Sequence, residues 1–187
     1  VTFQGALLAT VNTLVAPQGR SAPLLYDIAT GRSTGSIGHG GGVFCLVTEN
    51  NELISGPKSQ KAKDNQLFLT NAEGARIATF NDTTRAVIAE GVAYHHTRGV
   101  LKALALDATN KEVSQWNVKA PAPNELIVCA NAVLLGHSSE VHAYSRKDGS
   151  LLWKTVIPGE GLVHGLAISN RILFVSDSLG GIHAFRP

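Results

Sequence analysis

Apolar and polar positions along this chain change over in short runs and never settle into the 3.6-residue period of a helix. Segments such as "FCLVTENNELISG", "AVIAEGVAYHH" and "LAISNRILFVS" join an apolar run, a turn pair and a second apolar run. Runs so short, rich in β-branched residues and bounded by Gly, Asn, Asp or Ser, predict strands joined by tight hairpins. "LLATVNTLVAP" and "LIVCANAVLLGH" carry the same pattern. The second turn residue is Asn12, Asn51, Gly91, Asn131 and Asn170 in turn, at separations of 39, 40, 40 and 39 positions. Asn and Gly tolerate positive φ, so the spacing predicts five hairpins with primed turns.

Downstream of each hairpin lies a second block: "LLYDIATGRSTGSI", "LFLTNAEGARIATF", "LALDATNKEVSQW" and "HAYSRKDGSLLW", with a truncated fifth copy, "IHAFRP". Gly31, Gly74, Asn110 and Gly149 occupy its turn. A period near 40 residues with four strands per unit predicts a β-propeller. One blade alone would leave both apolar faces in water, so each must be covered by its neighbours. The expected architecture is all-β, with four complete four-stranded blades and an incomplete fifth lacking its outermost strand. Residues 1–187 form a single propeller region with blade repeats at about 5–37, 38–81, 82–119, 120–158 and 159–187. Residues Val1 to Gln4 are too few to supply the missing strand, which predicts a section of a larger ring continuing outside this chain.

The outer hairpin reads Ala, any residue, Asp, three residues, Gly, three residues, Trp. Ala143, Gly149 and Trp153 fit it with Ser145 in place of Asp; Asp27 and Gly31 fit in the first copy, and Asp107 precedes Trp116 in the third. The copy from Leu67 to Phe80 has neither Asp nor Trp. This resembles the tryptophan-docking repeat of the pyrroloquinoline-quinone-like, or quinoprotein-like, propellers, and the first fifty residues resemble bacterial quinoprotein-like domains. The resemblance implies rings of seven or eight blades. It also implies structural roles for Trp116 and Trp153 between blades, near the Gly-bearing turn of the neighbour, with Asp107 bonding turn amides.

Composition narrows the function classes. With 44% hydrophobic and 16% charged residues the chain is globular, and a formal charge of +2 without any block of like charge argues against a nucleic-acid partner. "KSQKAK", Lys58 to Lys63, reads as a solvated loop. No apolar run reaches the roughly 18 residues of a membrane span. The chain starts at Val1 and has no Met, which predicts a removed signal or a piece of a longer chain. Family habit then implies an extracytoplasmic location, periplasmic or secreted. Cys45 and Cys129 match no metal or redox spacing and read as small buried apolar residues.

No catalytic constellation is identifiable. Glu49, Glu52, Glu90, Asp107 and Glu140 read as turn or solvent-facing residues, and no "GxSxG" occurs. "GHGGGVF", Gly38 to Phe44, precedes a strand rather than a helix and reads as a flexible crossing between blades. His142 and His183 recur at equivalent places. His95 and His96, after one second strand, and His137, at the matching place in the next blade, are the metal or haem candidates, with no carboxylate pattern beside them and no CxxCH. The expected function is a non-catalytic binding or assembly scaffold without a cofactor, whose partners are protein: the remaining blades or another subunit. The resemblance leaves two alternatives. One is part of a quinone-dependent dehydrogenase holding pyrroloquinoline quinone with calcium; the other is a propeller of an extracytoplasmic redox assembly that meets haem on a partner cytochrome.

Overall fold

The computed structural model describes residues 5–59, 65–106 and 112–186. They form nineteen strands and no helix, so none is present that is long and apolar enough to cross a membrane. The first sheet holds β1 (Leu8–Ala9), β2 (Thr13–Gln18), β3 (Ser21–Asp27) and β4 (Ser33–Ser36). The second holds β5 (Phe44–Val47), β6 (Leu53–Gly56), β7 (Gln66–Thr70) and β8 (Arg76–Asn81). The third holds β9 (Thr83–Ala89), β10 (Val92–Thr97), β11 (Val100–Leu106) and β12 (Glu112–Lys119). The fourth holds β13 (Glu125–Val128), β14 (Ala132–His137), β15 (Glu140–Ser145) and β16 (Leu151–Val156). The fifth has three strands: β17 (Val163–Ser169), β18 (Ile172–Asp177) and β19 (Ile182–Phe185). Strand order follows chain order in every sheet, with antiparallel neighbours throughout. Four complete meanders and a three-stranded fifth match the architecture read from the repeat.

Turn geometry departs from the expected primed form at three of the five inner hairpins. Glu90 and Gly91 both take positive φ, 52° and 73°, and so do Asn170 and Arg171, 49° and 63°, the combination a type I′ turn requires. Asn51, at φ 60°, instead closes a three-residue loop in which the Thr48 N–H donates to the Glu52 carbonyl at 2.9 Å. Asn12 and Asn131 are not left-handed. What they share with Gly91 is an acceptor: the carbonyls of Asn12, Gly91 and Asn131 take the N–H groups of Ile28, Leu106 and Arg146 at 3.0, 3.1 and 3.0 Å. Any residue carries a carbonyl, so the period marks a place in the repeat rather than one dihedral angle.

A β-bulge recurs between the third and fourth strands of all four complete sheets, at Leu25/Tyr26, Leu69/Thr70, Ala103/Leu104 and Ala143/Tyr144. The residue before the bulge faces Gly35, Ala78, Trp116 and Trp153 respectively. Ala103 and Ala143 are fully buried and small, so the large indole opposite each has room to lie across the sheet.

Of the described residues, those up to Ala89 make one compact unit and those from Glu90 onward a second. In the first, Val15, Ile37 and Leu53 form a core with Leu8, Leu25 and Val47, drawn from the first two sheets. In the second, Leu134, Val141 and Ala143 pack with Val163, Leu173 and Val175, drawn from the fourth and fifth. The cores therefore lie between facing sheets. Five of the six residues of β14 are buried, and a strand covered on both faces carries a continuous apolar run instead of alternation.

The glycine run before β5 is packed rather than flexible. A Cβ on Gly41 would stand 2.4 Å from the Pro57 carbonyl oxygen, and one on Gly42 2.7 Å from the Gln18 nitrogen. The Gly42 N–H donates to the Gly19 carbonyl at 2.6 Å. Backbone passes backbone here at a distance only glycine permits.

Candidate functional site

The outer turns repeat one local chemistry. Gly31, Gly74 and Gly149 take φ of 68°, 85° and 75°, and their N–H groups donate back to Asp27, Asn71 and Ser145 at 2.8, 3.0 and 2.9 Å. Side-chain oxygens of those three residues accept amides inside the turn: Thr30 to Asp27 at 2.7 Å, Ala75 to Asn71 at 2.8 Å, Lys147 to Ser145 at 3.2 Å. The Thr30 hydroxyl, at 2.6 Å, leads in holding the Asp27 carboxyl below its ordinary value. Asp107 lies outside the described residues.

Trp116 sits on the fourth sheet's outer turn. It is 8% exposed, and its indole N–H donates to the Arg146 carbonyl at 2.9 Å. The tilted Tyr94 ring lies 5.9 Å away between centroids. A Cβ on Gly149 would stand 2.7 Å from Trp116 Cε3, so the indole lies flat against a position with no side chain. The Arg146 side chain, which sequence reasoning did not single out, ties the same place together. Its Nε donates to the Tyr94 hydroxyl at 3.2 Å, Nη1 to the Ala130 carbonyl at 3.1 Å and Nη2 to Glu90 Oε2 at 3.1 Å. The guanidinium also stands 5.7 Å from the Tyr94 ring centroid, within cation–π range.

Trp153 occupies the equivalent position one sheet later in a different environment. It is 43% exposed and lines a groove of about 680 Å³ with Leu152, Ile168, Leu173, Phe185 and Arg171. Leu151 and Ile182 are also exposed, Ile182 at 77%. β19 is the last strand of this sequence and pairs with β18.

His95 and His96 lie within β10, not after it, and His137 ends β14. Burial leads in pushing the His95 imidazole down to about 4, with Lys102 and His96 adding to it. His96 Nε2 meets the Ala120 carbonyl at 3.0 Å and His137 Nδ1 the Ala122 carbonyl at 2.8 Å. A ring nitrogen facing a carbonyl oxygen carries the proton and offers no lone pair, and the remaining nitrogen of His137 meets the Ser138 hydroxyl at 3.2 Å. Among the described residues no three His, Cys, Asp or Glu side chains gather as a metal set. Imidazoles supply none of the oxygen donors that a calcium–quinone site requires, and the nitrogens of His96 and His137 that face carbonyls are committed as donors. Cys45 is half-buried, and desolvation pushes its thiol up to about 12, an inert group; Cys129 lines the Trp153 groove.

His142 and His183, on the third strands of their sheets, each meet a carboxylate: Glu140 Oε2 at 2.8 Å and Asp177 Oδ2 at 2.7 Å. Asp177 Oδ1 also accepts the N–H groups of Leu179 and Gly181, both at 2.8 Å. The His183 bond first, then the Gly181 amide, hold the Asp177 carboxyl below its ordinary value. A carboxyl lowered by folding stabilises the protein above its unfolded pKa of about 4 and loses that contribution as pH falls through the lowered value. The thermal midpoint of Asp177→Asn is thus expected below that of the parent at pH 6, with the two curves converging as pH drops below about 4. Parallel curves down to pH 3 would show that Asp177 contributes no such bonding.

Residues 29–155 match the family model described as outer membrane protein assembly factor BamB. No curated protein matches the sequence. Among solved structures the chain is similar to the computationally designed Ika8 protein, at 14% identity and TM-score 0.76, covering 97% of this chain and 57% of that one. It is similar to BamB from Moraxella catarrhalis at 14% identity and TM-score 0.66, covering 96% and 56%. It is also similar to the Cps50 (Swd1) β-propeller domain of Myceliophteria thermophila, at 12% identity and TM-score 0.75, covering 100% and 72%. Identities this low show the fold alone, a β-propeller, and the chain spans 57% and 56% of the first two. With the outer turns at Gly74 and Gly149 and the Trp116 dock inside the matched residues, the chain belongs to the outer membrane protein assembly factor BamB family of pyrroloquinoline-quinone-like β-propellers.

Proposed function

We propose that this chain is a non-catalytic protein-assembly scaffold, extracytoplasmic and bacterial, and a section of a seven- or eight-bladed ring. The observation that carries the reading is the match of residues 29–155 to a family described as an outer membrane protein assembly factor, on a chain built of repeated four-stranded meanders. The family description, an assembly factor, supports a role in holding proteins together, and the outer membrane it names supports the location. The span of 57% and 56% of the two propellers above supports a partial ring. Repeated meanders joined by tight turns present loop side chains on a regular scaffold, which suits recognition.

A photo-crosslinking amino acid placed at exposed Glu160, in the loop between the fourth and fifth sheets, tests the reading in the producing cells, with one placed at exposed Thr30 in an outer turn as reference. A discrete adduct with another protein in the extracytoplasmic fraction is expected from position 160 and not from position 30. Equal adducts from both positions, or none from 160, would overturn the scaffold role.

A further inference from the structure

The turn between β14 and β15 sets a serine hydroxyl against an oriented imidazole. His137 Nδ1 faces the Ala122 carbonyl at 2.8 Å, and a carbonyl can only accept, so that nitrogen carries the proton. In the neutral ring Nε2 is then an acceptor, and the Ser138 hydroxyl stands 3.2 Å from it. Both sides of the arrangement are held in place. Ala122 lies between Pro121 and Pro123, and the Ala120 and Asn124 N–H groups beyond them donate to the Gly99 and Gly136 carbonyls at 3.0 and 2.8 Å. Across the turn, the Ser138 and Ser139 carbonyls accept the Val163 and Ile157 N–H groups at 2.6 and 2.8 Å. Ser138 is exposed and His137 half-buried, so a reagent in solution can reach the hydroxyl. Other hydroxyls lack one part of this set. Exposed Thr30 and Ser150 donate to the carboxylates of Asp27 and Asp148 at 2.6 and 2.8 Å, and a carboxylate is a far weaker base than an imidazole. Thr70 meets His39 Nε2 at 3.0 Å but is 1% exposed.

We propose that Ser138 is an activated nucleophile that accepts an acyl or phosphoryl group from a small activated ester, with His137 as its general base. Nucleophile, base and orienting acceptor follow one another from Ser138 through His137 to the Ala122 carbonyl. The Ser138 Oγ attacks the electrophilic carbon or phosphorus while its proton passes to His137 Nε2. The bond to the leaving group then breaks, and the leaving group departs with that proton, which returns the imidazole to its neutral form. One transfer per chain modifies the turn and leaves the scaffold reading as it stands, so neither depends on the other.

A dialkyl fluorophosphate is the probe, because loss of fluoride leaves a stable phosphoester that mass spectrometry of peptides assigns to one residue. Ser138 is expected to take the label about a hundredfold faster than Ser150, the scale of a positioned general base. His137→Gln, which removes the base, should bring the Ser138 rate down to that of Ser150, with the circular dichroism spectrum of the parent retained. Ser138→Ala should remove the label from this turn, and Ser139→Ala should leave the Ser138 rate unchanged. The comparison of Ser138 with Ser150 is made within the parent chain and so decides the matter even if the His137 variant folds poorly. Equal labelling of Ser138 and Ser150, or a fast Ser138 rate that survives His137→Gln in a folded chain, would overturn the proposal.

Discussion

Replacing Trp116 by alanine is expected to lower the unfolding free energy of the chain by about 3–5 kcal/mol, the range for truncating a buried aromatic side chain. Three losses combine. The indole is 8% exposed, and its removal opens a cavity between Tyr94 and the Gly149 turn. The Arg146 carbonyl loses its 2.9 Å donor, and an orphaned acceptor costs about 1–3 kcal/mol of that total. Tyr94, no longer backed by the indole, holds the Arg146 guanidinium less firmly. Trp153→Ala is the matched comparison, since the same residue type is deleted from the same repeat position. With 43% of that side chain in solvent, a change of about 0.5 kcal/mol is expected. Urea unfolding followed by circular dichroism measures both. Equal losses would mean that repeat position, rather than the sheet lying against it, sets the value of the indole.

Gly149→Ala should be the most damaging of the outer-turn glycine substitutions. An alanine at φ 75° costs about 1–2 kcal/mol in any turn. At this turn the new methyl would also stand 2.7 Å from Trp116 Cε3 and 2.9 Å from Val118 Cγ1, and such overpacking adds about 1–3 kcal/mol. Gly31 and Gly74 have similar φ and nothing within 4 Å of the built Cβ, so their alanine variants should show the backbone term alone. Thermal midpoints of the three variants decide it. A Gly149→Ala midpoint no lower than that of Gly74→Ala would rule out a tight Trp116 contact in solution.

Most of the fold was legible along the chain. Strands and turns follow from neighbouring residues: the short apolar runs around Val15 and Leu134 and the left-handed glycines at 31, 74 and 149 are local properties. Recurrence near every 40 residues then orders the strands into units, which is why the four complete sheets and the three-stranded fifth emerge without coordinates. The primed turns expected at Asn12 and Asn131 failed for an equally local reason. Asn tolerates positive φ without requiring it, and what recurs there is a carbonyl that any residue supplies.

The site was barely legible. The pattern around Trp116 does not say what covers it, since the Arg146 carbonyl and the Gly149 turn that do so lie thirty or more positions downstream. Arg146 gives no signal in "YSRKDG", since its partners Tyr94 and Glu90 lie more than fifty positions upstream. His95, His96 and His137 suggest ligands as letters, and only their place beside the carbonyls of Ala120 and Ala122 shows where their protons go. The glycines at 41 and 42 read as flexibility until the backbone at Pro57 and Gln18 is seen against them. By itself, then, the sequence determined the strands, the outer-turn geometry and the repeat, all governed by interactions between residues near one another in the chain. The tertiary structure alone decided which indole is docked, which glycines are crowded and which side chains line a groove. Those properties belong to surfaces that distant segments meet or leave open.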